Sequence, residues 1–478
     1  MSYRRSLVHG LGWLGSLQAL SAGVSQVAGI ALAALLGPSD FGLFGLAMIA
    51  IAVVAIPGDL GLTVEVIRRE DYDNILPTAI KLRWLIALLL TGFALLVAGA
   101  FAVLLSMPTF LWLVVALSTI FPAAALAFAS RAALTRALNF KTLAIADTAG
   151  RLIGPVTAVC FALIGLGFWS LALGLLVSTW TSAFAICLLR PVRTKKEFRV
   201  DIAKALVSSG KFVSIATVFG FLLVTADNAA VAGAFGIAAL GIYSFSYSLA
   251  VTVPRNASSL VDTVLFPVFS RLNKDPERLG RGYAVTIRYI AYFLFPVAAS
   301  IAVLSPSFVS IILGAKWSGT APVMQVLSVG GLAFALSVPA SSALLALGEA
   351  KLVTKSNAYG ALALMIGLGG AILYQAFLWV AFAAVVAALV YFCSLTRFVG
   401  RLVNVRWQEV AKVMSKPIFA SAVAAAGMTT ALFVFPPGVG SLLIAIVLGI
   451  AGYVGVLEAT SGGEFSASMK QISAMVIR

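Results

Sequence analysis

Apolar residues run along this chain in stretches of eighteen or more positions, and polar residues gather in the short breaks between them. Runs of that length, apolar on every face, predict helices that cross a bilayer. Strands do not fit, because a membrane barrel alternates polar and apolar residues over about ten positions. The pattern predicts fourteen spans, near residues 14–36, 41–62, 84–105, 110–130, 144–165, 168–189, 212–235, 240–266, 289–313, 321–346, 355–374, 377–396, 415–435 and 439–458.

The breaks alternate in character. Odd-numbered connections are short and turn-like, as in Gly37-Pro38-Ser39-Asp40, Met107-Pro108-Thr109, Gly165-Leu166-Gly167 and Pro436-Pro437-Gly438. Even-numbered connections are longer and basic, as in Arg190-Pro191-Val192-Arg193-Thr194-Lys195-Lys196. Of 33 Lys and Arg residues, only Lys316 falls in an odd connection and only Arg255 lies deep within a span. Cytoplasmic segments collect Lys and Arg, so both termini and every even connection are expected in the cytoplasm of a bacterial inner membrane. The segments 201–211 and 131–143, the latter with Arg131, Arg136 and Lys141, read as charged linkers or short amphipathic surface helices.

Composition supports the membrane reading. The 478 residues are 61% hydrophobic and 10% charged, with a mean hydropathy of +1.06. A soluble domain is nearer half apolar and a quarter charged. The net charge of +16 follows from the basic connections and carries no nucleic-acid reading. Cys160, Cys187 and Cys393 lie far apart in apolar runs, so neither a disulfide framework nor a metal site is expected. His9 is the one histidine, which excludes a histidine-based site within the membrane. Arg4 and Arg5 precede a long apolar stretch with no cleavage site, as in a retained first helix.

A pattern recurs at an interval of 199 residues. Phe41-Gly42-Leu43-Phe44 follows Gly37, and Leu240-Gly241-Ile242-Tyr243 follows Gly236. Ser106-Met107-Pro108 and Leu304-Ser305-Pro306 fall at nearly the same separation. Six spans separate the copies, so the two halves are expected to share one orientation, a known transporter plan. The expected organisation is a six-helix bundle in 1–200, a second in 201–400, and two additional helices with a cytoplasmic tail in 401–478.

Several segments resemble Wzx-type polysaccharide flippases, members of the multidrug/oligosaccharidyl-lipid/polysaccharide exporter superfamily. They are Leu36 to Phe44, Asp59-Leu60-Gly61-Leu62, Gly236 to Tyr243, Phe266-Pro267-Val268-Phe269-Ser270-Arg271, and Leu313-Gly314-Ala315-Lys316-Trp317. The resemblance covers roughly residues 10–400, through the order and spacing of these motifs. It implies an all-α integral membrane fold with two parallel-repeat bundles around a central cavity. It also implies a substrate built on undecaprenyl pyrophosphate and carrying a short oligosaccharide, turned outward for exopolysaccharide, capsule or O-antigen assembly. A polysaccharide polymerase and a chain-length regulator are the partners to expect. Composition and periodicity alone imply only a transporter-like membrane protein.

Ionisable groups deep in a span are costly and are functional candidates by default. Arg255 lies roughly 22 Å into the eighth span at 1.5 Å per residue. Its rigid fork of donors suits a diphosphate, with Pro254 kinking the helix and Asn256 adding hydrogen-bonding capacity. The alternative is an ion pair with Asp227 or Asp262. Asp227, similarly deep in the seventh span and flanked by Thr225 and Asn228, is a candidate for coupling to H⁺ or Na⁺, or for pairing with Arg255. No other cofactor is expected. Asp59 reads as a helix-end carboxylate or an inner gate. Asp147 and Arg151 read as a local i, i+4 pair. Gln18, Ser21 and Ser25 share a helix face that either lines the cavity or bonds neighbouring helices. Tyr243 and Tyr247 read as interfacial anchors or as stacking platforms for sugar rings.

Two rival readings remain at this level. A multidrug antiporter of the same superfamily would expel cations and has less use for a deep arginine. A membrane polysaccharide polymerase would need a reacting constellation on an external loop, and the outer loops here are mostly Gly, Pro and Ser.

Overall fold

The computed structural model describes residues 2–55, 71–104, 107–137, 139–192, 198–273 and 275–461, with Leu62 and Val66. Side chains of 2–16, 18, 19, 73, 102–104, 207–224, 259–264, 266, 267 and 461 lie outside that description. Among the described residues every regular element is helical. The reason is physical, since in lipid a helix satisfies its own backbone donors and acceptors.

The helices are α1 Ser2–Leu35, α2 Pro38–Ala55, α3 Tyr72–Leu104, α4 Pro108–Ser118, α5 Ile120–Arg136, α6 Phe140–Leu163, α7 Phe168–Leu189 and α8 Val200–Phe235. There follow α9 Ile237–Tyr247, a π-turn at Ser248–Thr252, α10 Val253–Leu272, α11 Pro276–Phe308, and a second π-turn at Val309–Leu313. After a 3₁₀ turn at Ala315–Trp317 come α12 Thr320–Ala346, α13 Ala350–Leu373, α14 Phe377–Val403, α15 Trp407–Val434 and α16 Val439–Ser461. Twelve stretches among the described residues are long and apolar enough to span a membrane. The remaining two expected spans fall in α1, whose described apolar part is Leu20–Leu35, and in α8.

The structure corrects four expectations about boundaries. Helix α3 begins at Tyr72, well before the expected start near residue 84, and α11 begins at Pro276 rather than near 289. The segment 201–211 is no separate surface helix but the first turns of α8, which runs unbroken to Phe235. Likewise Arg131 and Arg136 belong to the last turns of α5 rather than to a linker.

The chain divides into two compact units, Met1–Phe221 and Leu222–Arg478. In the first, Phe110, Leu113 and Leu117 of α4 pack with Ala47 and Ile51 of α2 and with Ala87, Leu90 and Ala94 of α3. Helices α6 and α7 approach closely because small residues line their contact. A Cβ on Gly154 would lie 2.7 Å from the Gly174 carbonyl oxygen, and one on Gly150 would strike Ser178 and Ser182. Ser170, Gly174, Ser178 and Ser182 recur every fourth residue, the spacing that lets membrane helices bring their backbones together.

In the second unit, Leu279, Tyr283 and Ile287 of α11 meet Leu336, Ala340 and Leu344 of α12 and Phe392, Leu395 and Val399 of α14. Helices α15 and α16 pack on each other and on α11, where the Tyr453 hydroxyl donates to the Tyr292 carbonyl oxygen at 2.7 Å. The first π-turn passes so near α12 that a Cβ on Gly331 would collide with the Ala250 carbonyl oxygen. Large apolar side chains such as Leu88, Leu96, Leu188, Leu373 and Phe433 point outward. In water that surface would be a liability; in a bilayer it is the solvated one.

Candidate functional site

The second unit concentrates polar chemistry where α8 meets α9 and the π-turn that leads into α10. Asp227 of α8 is 2% exposed, and the hydroxyl of Tyr243 from α9 donates to its Oδ2 at 2.8 Å. The Asn228 amide group and backbone N–H both donate to Oδ1, at 3.1 and 2.7 Å. Asn228 Oδ1 in turn accepts from Ser244 Oγ at 2.9 Å. The first three of these contacts satisfy the carboxylate locally, as a buried carboxylate requires, and the fourth holds Asn228 in place.

One turn further along, the Tyr247 ring lies 6.2 Å from that of Tyr243. The π-turn at Ser248–Thr252 then widens the helix just before Pro254 and Arg255. Such bulges re-aim side chains within otherwise regular helices. Arg255 and Asn256 are exposed, and the Arg255 charge lies within electrostatic range of the Tyr247 and Tyr391 hydroxyls. A hydrogen bond joins Tyr391 to Ser341. Among the described residues no carboxylate pairs with Arg255, and Asp227 is committed to Tyr243 and Asn228 instead. The expected alternative pairing of Asp227 with Arg255 is therefore absent; the Asp262 side chain lies outside the described residues.

Tyr243 departs from its expected place. It is fully buried and hydrogen-bonded to Asp227, so it is no anchor at a water interface. Tyr247 is half-buried and Thr225 is half-buried near Asp227 in sequence. Ser21 is fully buried and Ser25 half-buried, and the Gln18 side chain lies outside the described residues, as does Asp59.

The first unit holds a second polar cluster that sequence reasoning did not assemble. Asp147 does not pair with Arg151. It receives two hydrogen bonds from Arg131, at 3.0 and 2.6 Å, which tie α6 to α5. The correction has a geometric cause, since the planar fork of Arg131 meets both carboxylate oxygens at once. Arg131, Asp147, Arg151 and Arg83 line one cavity of about 420 Å³, with Ser178, Thr179 and Ser182 of α7 on its wall. Arg83 escaped notice because the expected third span began at residue 84, which made it a boundary charge. The early start of α3 places it three turns inside the helix.

The long apolar helices define a multi-pass membrane protein. The chain belongs to the polysaccharide biosynthesis protein family, whose model matches residues 31–322, more than half of its length. It is 24% identical over 368 residues to the lipopolysaccharide biosynthesis protein WzxC of Escherichia coli K12, covering 75% of this chain and 74% of that protein. It is 23% identical over 328 residues to the succinoglycan biosynthesis transport protein ExoT of Rhizobium meliloti 1021, covering 68% and 66%. Its fold is similar to that of the lipid II flippase MurJ in an inward closed conformation. That match has a TM-score of 0.77 at 15% identity over 94% of this chain and 98% of that one.

Proposed function

We propose that this protein flips an undecaprenyl-pyrophosphate-linked oligosaccharide repeat unit from the cytoplasmic to the outer leaflet of the inner membrane. The product feeds exopolysaccharide, capsule or O-antigen assembly. Membership of the polysaccharide biosynthesis family and similarity to a succinoglycan transport protein support the substrate class. The observation that carries the site is Arg255, an exposed guanidinium in an apolar chain, within electrostatic range of two tyrosines and without a carboxylate partner among the described residues.

In this reading Arg255 and Asn256 hold the pyrophosphate and Tyr247 contacts the sugar, while the polyprenyl tail stays in lipid. Gln18, Ser21 and Ser25 of α1 belong to the substrate path, and Asp59 to a gate. Two bundles exchange access by rocking, with Asp227, Asn228 and Thr225 as the site for H⁺ or Na⁺. Outward movement of an anion from a negative interior releases about 2.3 kcal/mol per charge per 100 mV. A polymerase and a chain-length regulator act on the product.

The test is a deletion strain complemented with Arg255→Ala. Surface polysaccharide is lost and lipid-linked intermediate accumulates, its glycan read by mass spectrometry, while the variant still reaches the membrane. Normal polysaccharide in that strain removes Arg255 from the site.

A further inference from the structure

Helices α13 and α14 run antiparallel, joined by the short turn at Tyr374–Ala376. A Cβ on Gly367 would strike Ala383, so their backbones nearly touch at mid-length. Each turns one stripe to the outside. On α14 the exposed positions are Phe382, Val386, Leu389 and Cys393, followed by Arg397 and Arg401. On α13, read in the same direction through space, they are Ile366, Leu362 and Tyr359, followed by Lys355 and Lys351. Steps of three or four residues keep each set on one helix face. Both stripes are therefore apolar along their length and cationic at one shared end. Lys355 Nζ lies 6.0 Å from the centre of the Phe398 ring, beside Arg397, which brings the two cationic ends together.

These cations are not neutralised within the protein. No ion pair involves any of the four among the described residues, and Glu349, two residues before Lys351, forms none with it. Lys355 instead stands over the Tyr359 and Phe398 rings, at 5.7 and 6.0 Å, a contact that fixes the ammonium without cancelling its charge. Cations that end a lipid-facing stripe lie at headgroup depth, where anionic lipid attracts them. The apolar continuation of both stripes selects a lipid over an acidic protein surface, because acyl chains cover it in the same stroke.

We propose that the seam of α13 and α14 is a binding site for an anionic glycerophospholipid. Its phosphate lies against Lys351, Lys355, Arg397 and Arg401, and its chains lie along the stripes that contain Leu362, Ile366, Val386 and Leu389. The site belongs to the outer face of the second unit and does not rest on the transport reading.

The test is native mass spectrometry of the full-length protein in detergent, titrated with phosphatidylglycerol or with phosphatidylcholine of the same acyl chains. The wild-type protein should retain phosphatidylglycerol at least about tenfold more tightly. Arg397→Gln with Arg401→Gln should weaken that binding by about tenfold to thirtyfold, at about 1 kcal/mol for each basic residue. Arg397→Lys with Arg401→Lys should keep most of it, which separates charge from misfolding. Arg190→Gln with Lys204→Gln removes two exposed cations of the first unit and should leave the preference intact. Equal retention of the two lipids by the wild-type protein overturns the site and returns the cations to an acidic protein partner. Equal losses in the two glutamine variants also overturn it, since the attraction would then follow net charge alone.

Discussion

Arg131 and Asp147 are sixteen residues apart in sequence, yet they meet through two hydrogen bonds that join the end of α5 to the start of α6. The guanidinium satisfies both carboxylate oxygens, and the pair forms one wall of the basic cavity of the first unit. Its surroundings make the two members unequal. Removing Arg131 leaves Asp147 near two other guanidiniums, whereas removing Asp147 leaves three cations together.

Asp147→Ala is therefore expected to cost more stability than Arg131→Ala. The side chains retain 32% and 41% exposure, so the coupling in a double-mutant cycle should be modest, on the order of 1 kcal/mol. Unfolding of the purified single and double variants in detergent measures it. Equal losses for the two single variants would contradict the asymmetry.

A second expectation concerns the buried carboxylate of the other unit. Tyr243→Phe removes a donor from Asp227 while keeping the ring, so the carboxylate loses a partner with no water to replace it. The cost should be roughly 1–3 kcal/mol. Asp227→Asn keeps an acceptor for the Tyr243 hydroxyl but turns an NH2 toward the two Asn228 donors, so it too should lower thermal stability, by roughly 1–3 kcal/mol. If Asp227 couples an ion, that same variant loses the response of transport to an imposed H⁺ or Na⁺ gradient in proteoliposomes. An intact gradient response in Asp227→Asn assigns the carboxylate a purely structural role.

Particular residues show why the sequence was readable in some places and silent in others. The apolar runs identify membrane helices because hydrocarbon tolerates nothing else over such lengths, and helices such as Phe168–Leu189 and Phe377–Val403 stand almost where the pattern puts them. Helix starts are less visible where charged residues continue a helix beyond the apolar stretch, as Tyr72 to Lys81 do in α3. That extension hid Arg83. Arg255 was legible because a lone charge in an apolar run stands out. Its surroundings were not, since the π-turn and the approach of Tyr391 from α14 depend on tertiary packing. The Arg131–Asp147 contact was obscured by the nearer i, i+4 candidate, Arg151. The four-residue spacing from Ser170 to Ser182 was a usable sign of the α6–α7 contact.

Close backbone approach supplies a third expectation. A Cβ at Gly331 meets the Ala250 carbonyl oxygen of the π-turn, so Gly331→Ala should force α12 away from it. The loss should be roughly 1–3 kcal/mol, as for other overpacked contacts. Gly369 of α13 has open space around it and provides the control. Gly369→Ala should be neutral or stabilise by about 0.5–1 kcal/mol, because alanine restricts the unfolded chain and favours the helix. Thermal unfolding in detergent distinguishes the two, and matched shifts would show that the contact at Gly331 is not tight.

The distribution of charge carries a prediction about sidedness. Basic residues gather in the even connections, and Lys316 is the one basic residue in an odd connection. Retention of Lys and Arg on the cytoplasmic side then puts the loops at Gly37, Gly165 and Lys316 outside and those at Arg190 and Asn273 inside. Single cysteines introduced at these positions, after replacement of Cys160, Cys187 and Cys393, should sort into two sets. A membrane-impermeant maleimide applied to intact cells should label the first set and spare the second until the inner membrane is permeabilised. Both polar clusters depend on this outcome for their direction. Arg83, Arg131 and Arg151 lie toward the basic connections, so a substrate arriving from the cytoplasm would meet them early, and labelling at Arg190 in intact cells would reverse that order.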